Sequence, residues 1–327
     1  GEWHTLSGPP VVYPRTPTRP VHPAPAQRVD LQLTPTLNPN PQSMSDSYAD
    51  DLLADHHIVV TGGGTGLGRA MAMRCAELGA RVTINGRRTE PLETTVADIR
   101  EAGGEAEGIS CNVREADDVE AFFDEAEERQ GPVTRLVNNA AANFLASAED
   151  ISPNGFDAII KTNLYGSFYC TQQCGKRWLE REEDGVVLSI ATTYAETGSA
   201  FVLPSAMSKA GIVAMTRSLA AEWGSAGIRL NAIAPGPFPT EGAWERLVPS
   251  EDIEQQMRQR IPVRRFGEPE ELADLAVFML SDLASYMNGE LVTFDGGEKL
   301  AAGGQFNDFT RLPREQIKQM MAQMRGD

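Results

Sequence analysis

Thr61-Gly62-Gly63-Gly64-Thr65-Gly66-Leu67-Gly68 is the stretch on which the fold turns. An apolar run, Ile58 to Val60, precedes it, and a helical pattern follows whose apolar face continues through Met71 and Leu78. Glycines between a strand and a helix allow a tight turn and bring backbone N–H groups up to a pyrophosphate, which gains further from the positive end of the helix. These residues predict a dinucleotide site at the head of an α/β sheet.

Outward from that turn, the apolar runs Val82 to Ile84, Leu136 to Val137, Val186 to Ile190, Ile228 to Ile233 and Leu291 to Phe294 alternate with helical stretches. Buried strands alternating with amphipathic helices imply a doubly wound parallel sheet, of about seven strands, covered on both faces. One helix, Gly155 to Leu179, spaces Ile159, Ile160, Leu164 and Phe168 as a single apolar stripe. The expected organisation is a disordered Pro-rich extension over residues 1–50, one reductase domain over 51–300 and a C-terminal extension over 301–327. Residues 1–43 hold ten of the 21 prolines with no hydrophobic period, which leaves nothing to build a core.

The chain has 327 residues, 41% hydrophobic and 23% charged, which excludes disorder throughout. Its net charge of -17 lacks the basic excess a nucleic-acid surface needs. No apolar run approaches about 18 residues, so no membrane-spanning helix is expected. Cys75, Cys111, Cys170 and Cys174 form no Cys-x-x-Cys pair and are too few to staple the chain, which fits a reducing, cytoplasmic setting. The alternative is the mitochondrial matrix, should the extension, with its three arginines, be a transit peptide. His4, His22, His56 and His57 all precede the first apolar strand run. That excludes a Ser-His-Asp triad and a histidine-ligated metal within the folded body, so acid-base chemistry falls to Tyr, Lys, Asp, Glu or Cys.

Strand two ends Ile84-Asn85-Gly86-Arg87-Arg88, where an NAD site offers a carboxylate to the ribose 2′-hydroxyl. Two guanidinium groups there suit a 2′-phosphate, so NADP is favoured, with solvated surface arginines as the alternative.

Together with the glycine turn, Asn138-Asn139-Ala140-Ala141 after strand four and Pro235-Gly236 with Thr240 after strand six resemble the short-chain dehydrogenase/reductase family over about residues 55 to 297. The resemblance implies a Rossmann-like fold, nicotinamide chemistry and a homotetramer. It also implies a cofactor site formed by Thr61, Gly62, Thr65, Gly66, Leu67, Gly68, Asn138, Ala140, Lys209, Pro235 and Gly236. Thr240 would face the carboxamide, and Asn112 stands where an Asp often meets adenine.

The family's Tyr-x-x-x-Lys is broken here, because the residue four before Lys209 is Ser205. A serine hydroxyl is far too weak an acid to replace a phenol, whose unperturbed pKa is about 10. Tyr194 is the candidate replacement, 15 residues before Lys209 and beside Thr192, where the family commonly carries its serine. This departure, with Asn143-Phe144, Thr193 to Ser199, Ala220 to Gly224, Phe294-Asp295-Gly296-Gly297-Glu298 and Gln305 to Asp308, is similar to mitochondrial-type 2,4-dienoyl-CoA reductases. In that branch a displaced tyrosine and an asparagine hold the thioester carbonyl, which implies Tyr194 and Asn143. Asn163 fits the general reductase pattern instead.

The residues suit such a reaction on chemical grounds. Hydride at Cδ of a 2,4-dienoyl thioester leaves negative charge on the thioester oxygen, and two donors meeting that oxygen where water is excluded stabilise it. A lysine cation about 4 Å from a phenolate contributes roughly 4 kcal/mol at an effective dielectric of 20, in the direction that lowers the phenol pKa. Ser205 reads as a polar wall residue or as a helix N-cap, and Tyr194 as either a donor or packing. The expected function is NADPH-dependent reduction of an acyl-CoA thioester in fatty-acid degradation. The alternatives are a carbonyl reductase of the same family and a non-catalytic dinucleotide-binding protein. Arg258, Arg260, Arg264 and Arg265 suit either coenzyme A phosphates or a solvated helix end. Cys170 and Cys174, one turn apart, are expected to face the core, and Arg314 to Met324 to form an amphipathic helix.

Overall fold

The computed structural model describes residues 48–240 and 251–303, with Pro313, Glu315, Gln316 and Gln319. In chain order the elements are β1 (His57–Thr61), α1 (Gly66–Glu77), β2 (Arg81–Gly86), α2 (Thr89–Glu101), β3 (Glu105–Ser110), α3 (Ala116–Gln130) and β4 (Arg135–Asn138). Then come α4 (Pro153–Ile160), a π-helical turn (Lys161–Tyr165), α5 (Gly166–Arg181), β5 (Gly185–Ile190), α6 (Tyr194–Thr197) and α7 (Leu203–Trp223). The described chain closes with β6 (Ile228–Pro235), α8 (Glu251–Arg260), α9 (Pro269–Leu280), β7 (Leu291–Phe294) and α10 (Glu298–Gly303).

The seven strands form one parallel sheet in the order β3-β2-β1-β4-β5-β6-β7. Successive strand side chains point to opposite faces, so a strand buried on both sides carries no polar alternation. Val59 and Val60, both fully buried, show this: Val60 belongs to the cluster that holds Met71, Cys75, Val277 and Leu280, and Val59 to the one that holds Phe122, Phe123, Cys170 and Trp178. Each such side chain contributes about 1.5–3 kcal/mol. The strand order reverses between β1 and β4, which opens a crevice at their carboxyl ends. Among the described residues no helix is long and apolar enough to cross a membrane.

Three local expectations change. His57 is the first residue of β1 rather than a residue before it, fully buried, with its ring bonded to the Gly131 carbonyl and the Thr83 hydroxyl. It lies at the amino end of the sheet, away from the crevice, and burial pushes its pKa down. The edge strand β3, Glu105-Ala106-Glu107-Gly108-Ile109-Ser110, has no apolar run to announce it, because only one neighbour and part of one face cover it. The stripe along Gly155 to Leu179 does not reach Phe168, which is 42% exposed. The π turn adds a residue to one helical turn and rotates α5 relative to α4, so Cys170, Cys174 and Trp178 turn inward as expected of the thiols. The Pro-rich extension and most of the tail, including Gln305 to Asp308 and most of the segment from Arg314 to Met324, lie outside the described residues.

Candidate active site

A cleft of about 650 Å³ opens beside the glycine turn. Gly62, Gly64, Thr65, Leu67 and Gly68 line it with Arg87 and Arg88 after β2, Asn112 and Arg114 after β3, Ala140 after β4, and Thr240. The turn is held open by its own geometry. Gly62 has φ +65°, and a methyl on Gly68 would stand 2.3 Å from the Gly62 carbonyl oxygen. Asn85 braces the turn: its Oδ1 accepts from the Gly62 N–H at 3.1 Å and its backbone oxygen from Gly63 at 3.2 Å.

Among the described residues no carboxylate lines this cleft, although the chain carries a net charge of -17. Arg87 and Arg88 are exposed, and no described residue pairs with either guanidinium. The Arg114 Nε and Asn85 Nδ2 atoms are buried without a partner among the described residues. Unspent donors at a helix N-terminus fit a polyanionic dinucleotide.

Several expected cofactor residues stand off the cleft wall. The Thr61 hydroxyl donates to the Val137 carbonyl at 3.2 Å and accepts from Asn139 at 2.9 Å and Ala140 at 3.0 Å, pinning β1 to the end of β4. Asn138 is buried, donating to Thr171 at 2.8 Å and Ser189 at 3.4 Å. Gly236 lines a neighbouring apolar pocket with Phe238 and Phe294, while Pro235 closes β6. Gly66 faces Thr240, whose Cβ lies 3.5 Å from where a Gly66 methyl would be.

At the other end of the crevice, β5 delivers Ile190 and is followed by Thr192 and by α6, a single helical turn opening on Tyr194. The Tyr194 hydroxyl lies 3.1 Å from the Ser205 hydroxyl. Ser205 is the third residue of α7, whose N-cap is Val202, so the serine faces the phenol instead of capping the helix. One turn on, the buried Lys209 ammonium donates to the Ile190 carbonyl. Burial holds its pKa at about 8, well below the usual lysine range. The Thr192 Oγ1 is buried without a partner among the described residues.

Asn143 is exposed on the loop after β4, and its Oδ1 accepts from the Phe144 N–H at 3.0 Å. That leaves the amide nitrogen as a donor. Asn163, inside the π turn, grips the same loop: its Oδ1 accepts from the Ala142 N–H at 2.8 Å and its Nδ2 donates to the Ala142 carbonyl at 3.0 Å. The Ser167 hydroxyl takes up the Asn163 carbonyl at 2.7 Å. A phenol 3.1 Å from Ser205, one helical turn before a buried ammonium, can stabilise an oxygen that gains negative charge.

Sequence reading missed Asn85, Asn139 and Arg114. Asn139 donates to the Thr61 carbonyl at 2.9 Å and the Gly62 carbonyl at 3.3 Å, so it braces the turn from the other side. A signal existed for Arg114, a basic residue two positions after Asn112 in an acidic chain. Of the cluster after Thr240, Arg258 pairs with Glu254 at 2.6 Å and Arg265 with Glu271 at 2.6 Å, as a solvated helix end does.

The family described as Enoyl-(Acyl carrier protein) reductase matches residues 62–299. A Bacillus subtilis (strain 168) protein named "Probable 2,4-dienoyl-CoA reductase [(2E)-enoyl-CoA-producing]" is 43% identical over 225 residues, 68% of this chain and 89% of that one. A Caenorhabditis elegans protein named "Probable 2,4-dienoyl-CoA reductase 3 [(3E)-enoyl-CoA-producing]" is 42% identical over 236 residues, 71% of this chain and 76% of that one. The crystal structure of a short chain dehydrogenase from Bacillus anthracis superposes with TM-score 0.70 at 39% identity, over 79% of this chain and 99% of that one. Fold, glycine turn and matched length agree: the chain is an oxidoreductase of the short-chain dehydrogenase/reductase family.

Proposed function

We propose that the protein is an NADPH-dependent reductase of 2,4-dienoyl-CoA thioesters that forms 3-enoyl-CoA products. The observation that carries this reading is the 3.1 Å approach of the Tyr194 hydroxyl to Ser205, one helical turn before Lys209. The phenol thereby reaches the point on α7 from which the family's helix tyrosine is missing. Arg87 and Arg88 would hold the cofactor's 2′-phosphate, and the Gly62 to Gly68 turn its pyrophosphate. Lys209, with one N–H given to Ile190, keeps further donors for the nicotinamide ribose hydroxyls. The bound nicotinamide supplies a hydride, which goes to Cδ. Tyr194 and the Asn143 amide nitrogen donate to the thioester oxygen as charge collects there, and Thr192 offers a third donor nearby in sequence. A proton taken from solvent water, directly or through Tyr194, is added at Cα and completes a 3-enoyl product.

The second reading, reduction of a ketone with Tyr194 as proton donor, is favoured by Asn163, the residue that follows the general reductase pattern. The two relatives' names also differ in the product double bond, 2E against 3E. One experiment separates these possibilities: NADPH absorbance is followed with 2,4-hexadienoyl-CoA and with acetoacetyl-CoA, for the native chain and Tyr194→Phe, with chromatography of the enoyl product. The expected result is turnover of the dienoyl thioester to a 3-enoyl product and its loss in the variant. Turnover of acetoacetyl-CoA alone would favour the ketone reading, and NADPH binding without any turnover a non-catalytic role.

A further inference from the structure

The segment Asp295-Gly296-Gly297-Glu298-Lys299 has no part in the reaction described so far, yet it is tied to the turn that carries Tyr194. That turn, α6, is one helical turn long, and so short a helix does not hold itself in water. Ala195 packs against the small cluster that includes Ala191 and Val213, but Glu196 through Ala200 are exposed. What grips the exposed side of α6 is charge. One oxygen of the Glu196 carboxylate accepts from the Lys299 ammonium, and the other lies 3.9 Å from the Arg217 guanidinium.

Lys299 is itself fixed. The buried Asp295 carboxylate accepts from the Gly297 N–H at 2.8 Å and the Lys299 N–H at 2.7 Å, capping α10. The Gly236 backbone is so close that a methyl there would stand 2.8 Å from the Asp295 Cα. Gly296 is wedged equally tightly, since a methyl on it would lie 2.6 Å from Val263 Cγ2, and its carbonyl accepts from the Val263 N–H at 3.3 Å. The turn after β7 is therefore a rigid post between the end of β6 and the segment after α8, and Lys299 is the arm it extends to α6.

We propose that Lys299 is a positioning residue: by clamping Glu196 it fixes the helical turn that carries Tyr194 and so sets the angle at which the phenol meets the acyl oxygen. The inference rests on Tyr194 being the donor to that oxygen. An exposed ion pair adds little to global stability, but small displacements of a catalytic donor are costly in rate.

The test uses the full chain and the variants Lys299→Met, Glu196→Gln, both together, and Lys299→Arg. Each single variant lowers kcat for the dienoyl thioester by on the order of tenfold, with NADPH affinity by fluorescence titration and Tm unchanged. The double variant is no worse than either single one, and Lys299→Arg restores most of the rate. Incorporation of 3-fluorotyrosine at the six tyrosines gives a readout independent of turnover. The ¹⁹F resonance that disappears in Tyr194→Phe shifts or broadens in Lys299→Met and returns in Lys299→Arg. Native kcat and an unmoved resonance in Lys299→Met, with Tyr194→Phe impaired, would overturn the positioning role alone. So would a loss of rate matched by equal losses of Tm and NADPH affinity. A fully active Tyr194→Phe removes the reading of Tyr194 and the inference with it.

Discussion

Around the glycine turn, the wall offered to a ligand is mainly backbone of one short stretch, Gly62 to Gly68, braced by Asn85 and Asn139. Around Tyr194 the groups offered are side chains: the phenol on α6, the Ser205 hydroxyl 3.1 Å from it on α7 and, one helical turn on, Lys209. The first region depends on what is absent, above all a Cβ at Gly68. The second depends on where a few polar atoms end up. A site made of backbone cannot move a group without moving the chain. A site made of side chains can relocate one, and here the phenol comes from the loop after β5 while its hydroxyl still reaches α7.

The comparison is tested most sharply at the phenol. Tyr194→Phe is expected to lower kcat on the order of 10²-fold or more while leaving NADPH affinity unchanged, because it removes a donor from the chemical end only. Equal rates for variant and native chain in a stopped-flow assay would break the division. At the other end, Arg87→Glu combined with Arg88→Glu is expected to weaken NADPH relative to NADH by tenfold or more. Each charge-assisted bond is worth about 1.5–3 kcal/mol, and the new carboxylates repel the phosphate. Fluorescence titration with the two cofactors measures it, and an unchanged ratio would return these arginines to the solvated surface.

Gly68→Ala is expected to cost about 1–3 kcal/mol of stability and to weaken both cofactors together, since the added methyl collides with the turn itself. Calorimetry and the same titration check it. The pH dependence should divide in sign. Burial lowers the Lys209 pKa to about 8, so its cation is lost as pH rises through that value, and kcat/KM should fall there. The cost of burying the charge is fully present below the folded value and is relieved as pH rises toward the ordinary lysine value of 10.5. Relative to Lys209→Met, the stability of the native chain should therefore rise over the same range. A Lys209→Met chain with the same two limbs would refute this. The smallest effect is expected of Ser205→Ala, which removes one hydrogen bond to Tyr194 worth about 1 kcal/mol and lowers kcat about fivefold.

Legibility divides along the same line. The glycine turn, the buried strands and the absence of histidine from the crevice could be read directly, because each rests on residues adjacent in sequence or on a residue type missing altogether. β3 escaped because an edge strand need not be apolar, and Phe168 was misplaced because a π turn breaks the period on which a stripe is judged. Asn139 and Asn163 had visible positions but no visible roles. Both act by bonding to backbone far away in sequence, at the Thr61 and Gly62 carbonyls and on both sides of Ala142.

By itself the sequence determined a parallel α/β sheet headed by a phosphate-binding turn, since alternation of buried strands with amphipathic helices and a Gly-rich strand-to-helix junction are local facts of steric freedom and hydrophobic period. Only the tertiary structure decided that the Tyr194 hydroxyl meets Ser205 beside Lys209, and that Asn163 grips the loop of Asn143. Those meetings depend on how far apart in space β4, β5 and α7 stand once the sheet is packed, a distance fixed by the whole core.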